Sequence, residues 1–153
     1  MQEMRELRIS DYNSLRDLIL GIYDEYPKAL RFSSKPSEAE IYSLLRAKIA
    51  AMETGEGIDL VMLDGNRIIG ECEVFRSDGI AFLGIIVEKS ARRSGVGTVL
   101  VRECLMRCAE IGIHEVCATV DRANHASIEF LKSNGFVVGG PPEHNPVKLS
   151  IKV

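Results

Sequence analysis

Long apolar runs are missing from this chain: none approaches the ~20 residues a helix needs to cross a bilayer. The opening Met1-Gln2-Glu3-Met4-Arg5 also has no apolar stretch of the signal-peptide kind, so a cytosolic protein with no membrane contact is expected. Basic residues do not gather into a stripe. The 19 Lys and Arg are scattered among 22 Asp and Glu, for a net charge of −3 and a pI near 5.7. That balance argues against a nucleic-acid partner and mildly for a cationic one. Cysteines are few and badly placed for metal. Cys72, Cys104, Cys108 and Cys117 fall inside apolar segments, with no short turn-borne spacing of a zinc knuckle. Cys104 and Cys108 share a helix face, but two further ligands are lacking, so reduced core thiols and no metal are expected. Internal repeats and low-complexity tracts are absent too.

What is present is ordinary globular material. The 153 residues are 46% hydrophobic and 27% charged, enough for one packed core and short for two, so residues 1–153 are read as one domain. Residues 4–8 alternate like a strand, and Ser10 is placed to cap a helix that stops before Pro27. Ser37 and Glu40 form a capping box for a second helix carrying Ile41, Leu44, Leu45, Ile49 and Met52. Residues 58–63, 67–75 and 80–88, separated by Asp64-Gly65 and Asp78-Gly79, read as a three-stranded antiparallel meander. A long amphipathic helix over 93–111, a strand over 116–120, a helix over 123–134 and strands at 137–138 and 147–153 complete the order. The strand, helix, strand passage from Ile80 to Val120 implies one parallel crossover, so the sheet is mixed.

The long helix opens on Arg92-Arg93-Ser94-Gly95-Val96-Gly97. Each glycine weakens a helix start by ~1 kcal/mol relative to alanine, which asks for a reason. A helix N-terminus offers free N–H groups and partial positive charge, and without side chains the backbone lies directly against a phosphate. The bland alternative is a glycine turn that lets the helix pack closely on the sheet. No Gly-Lys-Ser/Thr follows, which excludes a Walker loop, and the glycines come after a meander rather than a first strand, which disfavours a dinucleotide fold.

With Arg92, Gly95 and Gly97 after a strand, Asn124 at the next helix and Asn134-Gly135-Phe136 behind it, the chain resembles the general-control-related N-acetyltransferase (GNAT) superfamily over essentially its whole length. The resemblance implies an α/β (α+β) fold: a mixed, mostly antiparallel central sheet of six to seven strands, flanked by about four helices, with two splayed central strands. It implies acetyl-CoA as cosubstrate, with no metal. Backbone near Ile85, Ile86 and Val87 would hold the pantetheine arm, and Arg92, Arg93, Ser94, Gly95, Val96, Gly97 and Thr98 the pyrophosphate. Asn124 would touch the cofactor arm, or is a plain helix cap. The activity implied is acetyl transfer to a primary amine of a small molecule, polyamine or protein, by direct attack in a ternary complex. The backbone N–H of Ile86 is the expected donor to the oxyanion.

An ammonium with pKa near ~10.4 must lose a proton before it attacks, which calls for a carboxylate. Glu71 and Glu73 lie two apart on one face of their strand, with Ile68, Gly70, Cys72 and Val74 on the other, and Glu73 is the candidate base or acceptor anchor. A structural role for both glutamates is the alternative. Three positions depart from the family pattern: Lys89 where proline is common, Ser127 where alanine is usual, and Leu131 where many members carry the tyrosine that protonates the leaving thiolate. Water, Ser127, Ser133, Tyr23, Tyr26 or Tyr42 would then serve, or nothing. The isolated His114, His125 and His144 are given no role. The acceptor pocket is expected between residues 12 and 52, where Tyr23, Asp24, Glu25, Tyr26 and Tyr42 face a cation. Two rivals remain: a non-catalytic acyl-CoA-binding sensor, and a binder of another nucleotide. A homodimer through an open edge at residues 147–153 is a further expectation.

Overall fold

Two tight turns organise the centre of the molecule. Asp78 and Gly79 both take positive φ, 52° and 78°, the left-handed geometry of a two-residue hairpin. They join β3 (Arg67–Ser77) to β4 (Ile80–Val87), while Gly65-Asn66, one residue later than the expected Asp64-Gly65, closes β2 (Gly57–Asp64) onto β3. The computed structural model describes residues 2–141 and 143–153. Around the meander it adds β1 (Gln2–Glu6), α1 (Tyr12–Glu25), α2 (Glu38–Glu53), α3 (Val96–Glu110), β5 (Glu115–Val120), α4 (His125–Ser133), β6 (Val137–Gly139) and β7 (Val147–Lys152). Among the described residues, seven strands form one sheet in the order β1-β2-β3-β4-β5-β7-β6, with β4–β5 the sole parallel pair. The mixed, mostly antiparallel sheet with four helices is therefore as expected.

Local departures have physical causes. The first strand is earlier than residues 4–8, and Ser10 does not cap α1. A short 3₁₀ turn, Ile9–Asp11, intervenes, and the buried Asp11 carboxylate reaches back to accept from the Arg8 N–H at 2.8 Å and from both Arg5 Nη atoms at 2.9 Å. Those bonds outweigh the cost of burying it and hold Asp11 below the usual carboxylate range. Ile68 also changes face. Met62 opposes Gly70 while Leu63 opposes Ile68, so Ile69 is a bulge that turns Ile68 away from Gly70, Cys72 and Val74. Residues 147–153 are not an open edge: β7 is bonded on one side to β5 and on the other to β6.

The sheet separates two cores. On one side α3 sets Val96, Leu100, Val101, Cys104 and Cys108 against Leu60, Cys72, Val74 and Leu83, with Leu131 of α4 joining them. Burial first, and neighbouring Cys104 second, push the Cys108 thiol up to about 12, which keeps it an inert thiol. All four cysteines are unpaired. On the other side α1 supplies Leu15, Leu18, Ile19 and Ile22, and α2 supplies Ile41 and Leu45, against Val61, Leu63 and Ile68. Among the described residues, no helix is long and apolar enough to cross a membrane.

Charge is buried at the heart of this second layer. Lys48 projects from the apolar face of α2, its side chain 7% exposed, and its Nζ lies 2.6 Å from Glu73 Oε2, 3.0 Å from Glu71 Oε2 and 3.3 Å from Asp59 Oδ2. Burial alone would discharge the ammonium, but Glu71, Asp59 and Glu73 together hold its pKa well above the ordinary lysine value. Three carboxylates share one cation. The imbalance is met by a proton, because burial and then Glu71 push the Asp59 carboxyl well above its ordinary range. The carboxylate oxygens lie within 4.8 Å of one another, a spacing a metal would accept, but the Lys48 ammonium is the cation they share.

Lys48→Met strands the buried Asp59 and Glu71 and the partly exposed Glu73, and is expected to lower stability by ~3–5 kcal/mol in urea denaturation. Asp59→Asn tests the proton. The folded-state pKa of Asp59 is raised above 3.8, so its stabilising effect is full below that value and declines as pH rises. Relative to wild type, Asp59→Asn should therefore gain stability as pH rises above the ordinary carboxylate range.

Candidate functional site

The site starts where a sheet stops being a sheet. β4 and β5 pair only at Ala81–Val116 and Phe82–Cys117, and beyond Phe82 the two strands part. Which backbone groups are thereby freed follows from the pleat. Glu88 donates its N–H to Ile69 O of β3 at 2.9 Å, and β4 runs beside β3 without a register shift. Groups two residues apart on a strand point the same way, so the N–H of Ile86 also faces β3, while those of Ile85 and Val87 face the gap. Ile86 is thus unsuited as the oxyanion donor. Its neighbours offer the unpaired amides, a distinction that needs the register and so could not be read from sequence.

Beyond β4 the chain turns tightly through Lys89–Ala91 and delivers the glycine loop. Arg92 is fixed: its Nε donates to Val87 O at 3.0 Å, and its two Nη atoms pair with Glu25 of α1 at 2.5 and 2.6 Å. Its charge ties α1 to the loop and keeps the Glu25 carboxyl below the usual range. Arg93 takes φ 60° and Gly95 φ 90°, and α3 begins only at Val96, three residues later than expected. No side chain caps it, so the N–H groups of Val96, Gly97 and Thr98 have no partner within the helix. The two glycines differ in purpose. A Cβ on Gly95 would meet nothing within 4 Å, so φ is what demands glycine there; one on Gly97 would meet the Phe130 ring at 3.0 Å. Close packing of α3 against α4 thus accounts for Gly97 independently of any ligand.

A cavity of about 890 Å³ fills the space between these parts. Ile85, Ile86 and Val87 form one wall, Arg92, Arg93, Gly95, Gly97 and Thr98 the second, and Asn124, Ser127 and Phe130 the third. Ser94 and Val96 are not in its lining: Ser94 Oγ donates to Ala91 O, and Val96 is buried in the core. Asn124 caps α4, its Oδ1 accepting the Ser127 N–H at 3.2 Å, and also lines the cavity, so both readings of it describe the same residue. Leu131 is 2% exposed and belongs to the core, where an apolar residue fits.

The opposite mouth of the gap lies under α1 and the link after it. Tyr26 lines the cavity and donates to Asp121 Oδ1 of the loop after β5 at 3.1 Å. An N–H bond from Ala123 and this phenol keep Asp121 below the usual carboxylate range. Losing the Tyr26 proton would set two anions together, so the phenol's pKa is raised by burial and by Asp121. Tyr42 is elsewhere, stacked edge-on against Tyr12, and Tyr23 is not in the lining. Glu25 is taken by Arg92, and Asp24 pairs with Lys35 at 3.9 Å. Of the residues expected around the acceptor, Glu25 and Tyr26 line the cavity. Sequence reasoning passed over Asp121 and Lys48; only Lys48 left a signal, standing four residues from Leu44 and Met52 on the apolar face of α2.

Comparison with known proteins agrees with this geometry. No curated protein matches the chain by sequence. Among solved structures, the chain is similar to a GNAT-family acetyltransferase of Streptococcus pneumoniae, at 18% identity, full coverage of both chains and TM-score 0.78. It is similar to the PaiA N-acetyltransferase of Thermoplasma acidophilum in complex with coenzyme A, at 21% identity, 100% and 99% coverage and TM-score 0.77. It is likewise similar to a GNAT-superfamily phosphinothricin acetyltransferase of Sinorhizobium meliloti in complex with acetyl-CoA, at 20% identity, 99% and 88% coverage and TM-score 0.79. The model of the Acetyltransferase (GNAT) family matches residues 16–136, most of the chain and all of the site, and the protein belongs to that family.

Proposed function

We propose that this protein transfers the acetyl group of acetyl-CoA to a primary amine by direct attack in a ternary complex. The observation that carries the reading is the gap itself: unpaired amides of Ile85 and Val87 opening onto a cavity walled by the uncapped N-terminus of α3. The bound coenzyme A and acetyl-CoA of two structural neighbours of the same fold support it.

Acetyl-CoA, when bound, supplies an activated acyl carbon and a thiolate leaving group. The free amides of Gly97 and Thr98, with the dipole of α3 and the charge of Arg93, which is in no ion pair among the described residues, hold the pyrophosphate. The Val87 N–H pairs with a pantetheine amide as a missing strand would. A cofactor running inward from the cradle brings its thioester past Val87 toward the point where the strands part, so the Ile85 N–H is the oxyanion donor. Glu73 lies across from Gly84, the next residue along β4, on the face covered by α1 and α2. It anchors the incoming ammonium and takes one proton, directly or through water; the nitrogen bonds the carbonyl carbon, the C–S bond breaks, the nitrogen sheds its second proton to solvent, and the departing thiolate takes a proton from solvent. Leu131 has no proton to give, and Tyr26 gives its own to Asp121.

Leu131 is also the observation that favours a second reading, a sensor that binds acyl-CoA without turning it over. Thiol release with an amine panel decides between them: the transferase releases coenzyme A with at least one amine, the sensor with none. Calorimetry should show acetyl-CoA and CoA binding more tightly than ATP or NAD. Arg93→Asn removes a charge while suiting φ 60°, and is expected to weaken acetyl-CoA binding by about tenfold with the melting temperature unchanged. Glu73→Gln should lower kcat by about 10²-fold or more, with acetyl-CoA affinity retained.

A further inference from the structure

Along the face covered by α1 and α2, β3 and β4 present three successive cross-strand pairs: Glu71–Ile86, Glu73–Gly84 and Phe75–Phe82. The outermost pair is a stacked aromatic platform, ring centroids 5.8 Å apart and planes at 28°. Across it lies the guanidinium of Arg31, from the link between α1 and α2, 5.6 Å from the Phe75 ring centre and 5.9 Å from that of Phe82. Its Nη2 donates to Thr119 Oγ1 of β5 at 3.4 Å, a long bond. Phe82 is the last residue of β4 paired with β5, so this guanidinium sits over the point where the strands part.

Arg31 is charged, exposed and in no ion pair among the described residues. The two rings hold the guanidinium close to them and Thr119 takes one N–H of Nη2, so N–H groups remain for a planar anion. The floor between it and Glu73 is clear: a Cβ on Gly84 would touch only Glu73 Cγ and Oε1, each at 3.6 Å. Glu73 and the platform are separated by one two-residue step of the strand, roughly 6.6 Å. A carboxylate on the strand and a guanidinium 5.6 Å above the neighbouring ring, both on the face covered by α1 and α2, make a receptor for a molecule with an amine at one end and an anion at the other.

Resting on the transferase reading above, we infer that Arg31 binds the carboxylate of the acceptor, and that the acceptor is a free amino acid whose amine faces Glu73. A diamine would set its second cation against Arg31, and a protein N-terminus would offer it a neutral amide instead of a carboxylate.

The test is thiol release from acetyl-CoA with matched acceptors: phenylalanine, its amide and phenethylamine; lysine, its amide and cadaverine; and the remaining amino acids singly. The wild type should favour an amino acid over its amide and over its decarboxylated amine in kcat/KM by about tenfold or more. Arg31→Ala should reduce that ratio by about 10- to 100-fold, chiefly through KM, with Arg31→Lys intermediate and Arg31→Glu turning the preference toward the diamine. A wild type that prefers amines or amides, or an Arg31→Ala that lowers all acceptors equally, overturns the inference while leaving the transferase standing. Thiol release with no acceptor at all overturns the transferase reading, and this inference with it.

Discussion

Everything in this molecule that bears on function follows from two strands ceasing to pair. β4 and β5 share only two register positions, and their separation leaves the main chain of Ile85 and Val87 without the partners that a sheet supplies. Unpaired backbone groups in a lined cavity carry a free-energy penalty unless something bonds them. That penalty makes the gap a binding site for an extended, amide-bearing chain. The parting also decides which face does what. The uncapped amides of α3 stand at one end, where the proposed reaction places the phosphates, and Glu73 and Arg31, which it gives to the acceptor, stand on the face covered by α1 and α2.

Keeping such a gap open requires stiff walls. On one side the wall is held by Gly97, whose bare Cα admits the Phe130 ring and so docks α4 on α3. On the other it is held by charge. Lys48 gathers Asp59, Glu71 and Glu73 from two adjacent strands beneath α2, and Arg92 links the glycine loop to Glu25 of α1. Buried ion clusters are poor sources of net stability but strong sources of specificity, because any other arrangement leaves a charge unpaired. Here the cluster fixes Glu73, its one partly exposed carboxylate, with the side chain 27% exposed.

Much of this was legible in the residues. The Asp-Gly turns and alternating runs specified the meander, and the capping box at Ser37 and Glu40 formed as written, with bonds of 3.1 Å in both directions. Other features depend on contacts between segments far apart in sequence. Arg92 reads as a phosphate ligand until Glu25, 67 positions away, is seen to hold it. Ile86 reads as interchangeable with Val87 until the β3 register shows which N–H is free. Arg31 sits in a polar link with no pattern of its own, and only the fold brings it over Phe75 and Phe82. A one-residue bulge at Ile69 reversed the face of Ile68, a detail invisible to periodicity.

The central claim is that the free edge of β4 completes itself with the cofactor. Amide hydrogen exchange, followed residue by residue by NMR with and without acetyl-CoA, tests it most directly. The account predicts that Ile85 and Val87, unprotected alone, become strongly protected on binding, together with Gly97 and Thr98, while Ile86 is protected throughout by its bond to β3. Exchange at Ile85 and Val87 unchanged by saturating acetyl-CoA, or an Ile86 amide that alone responds to it, would contradict the account.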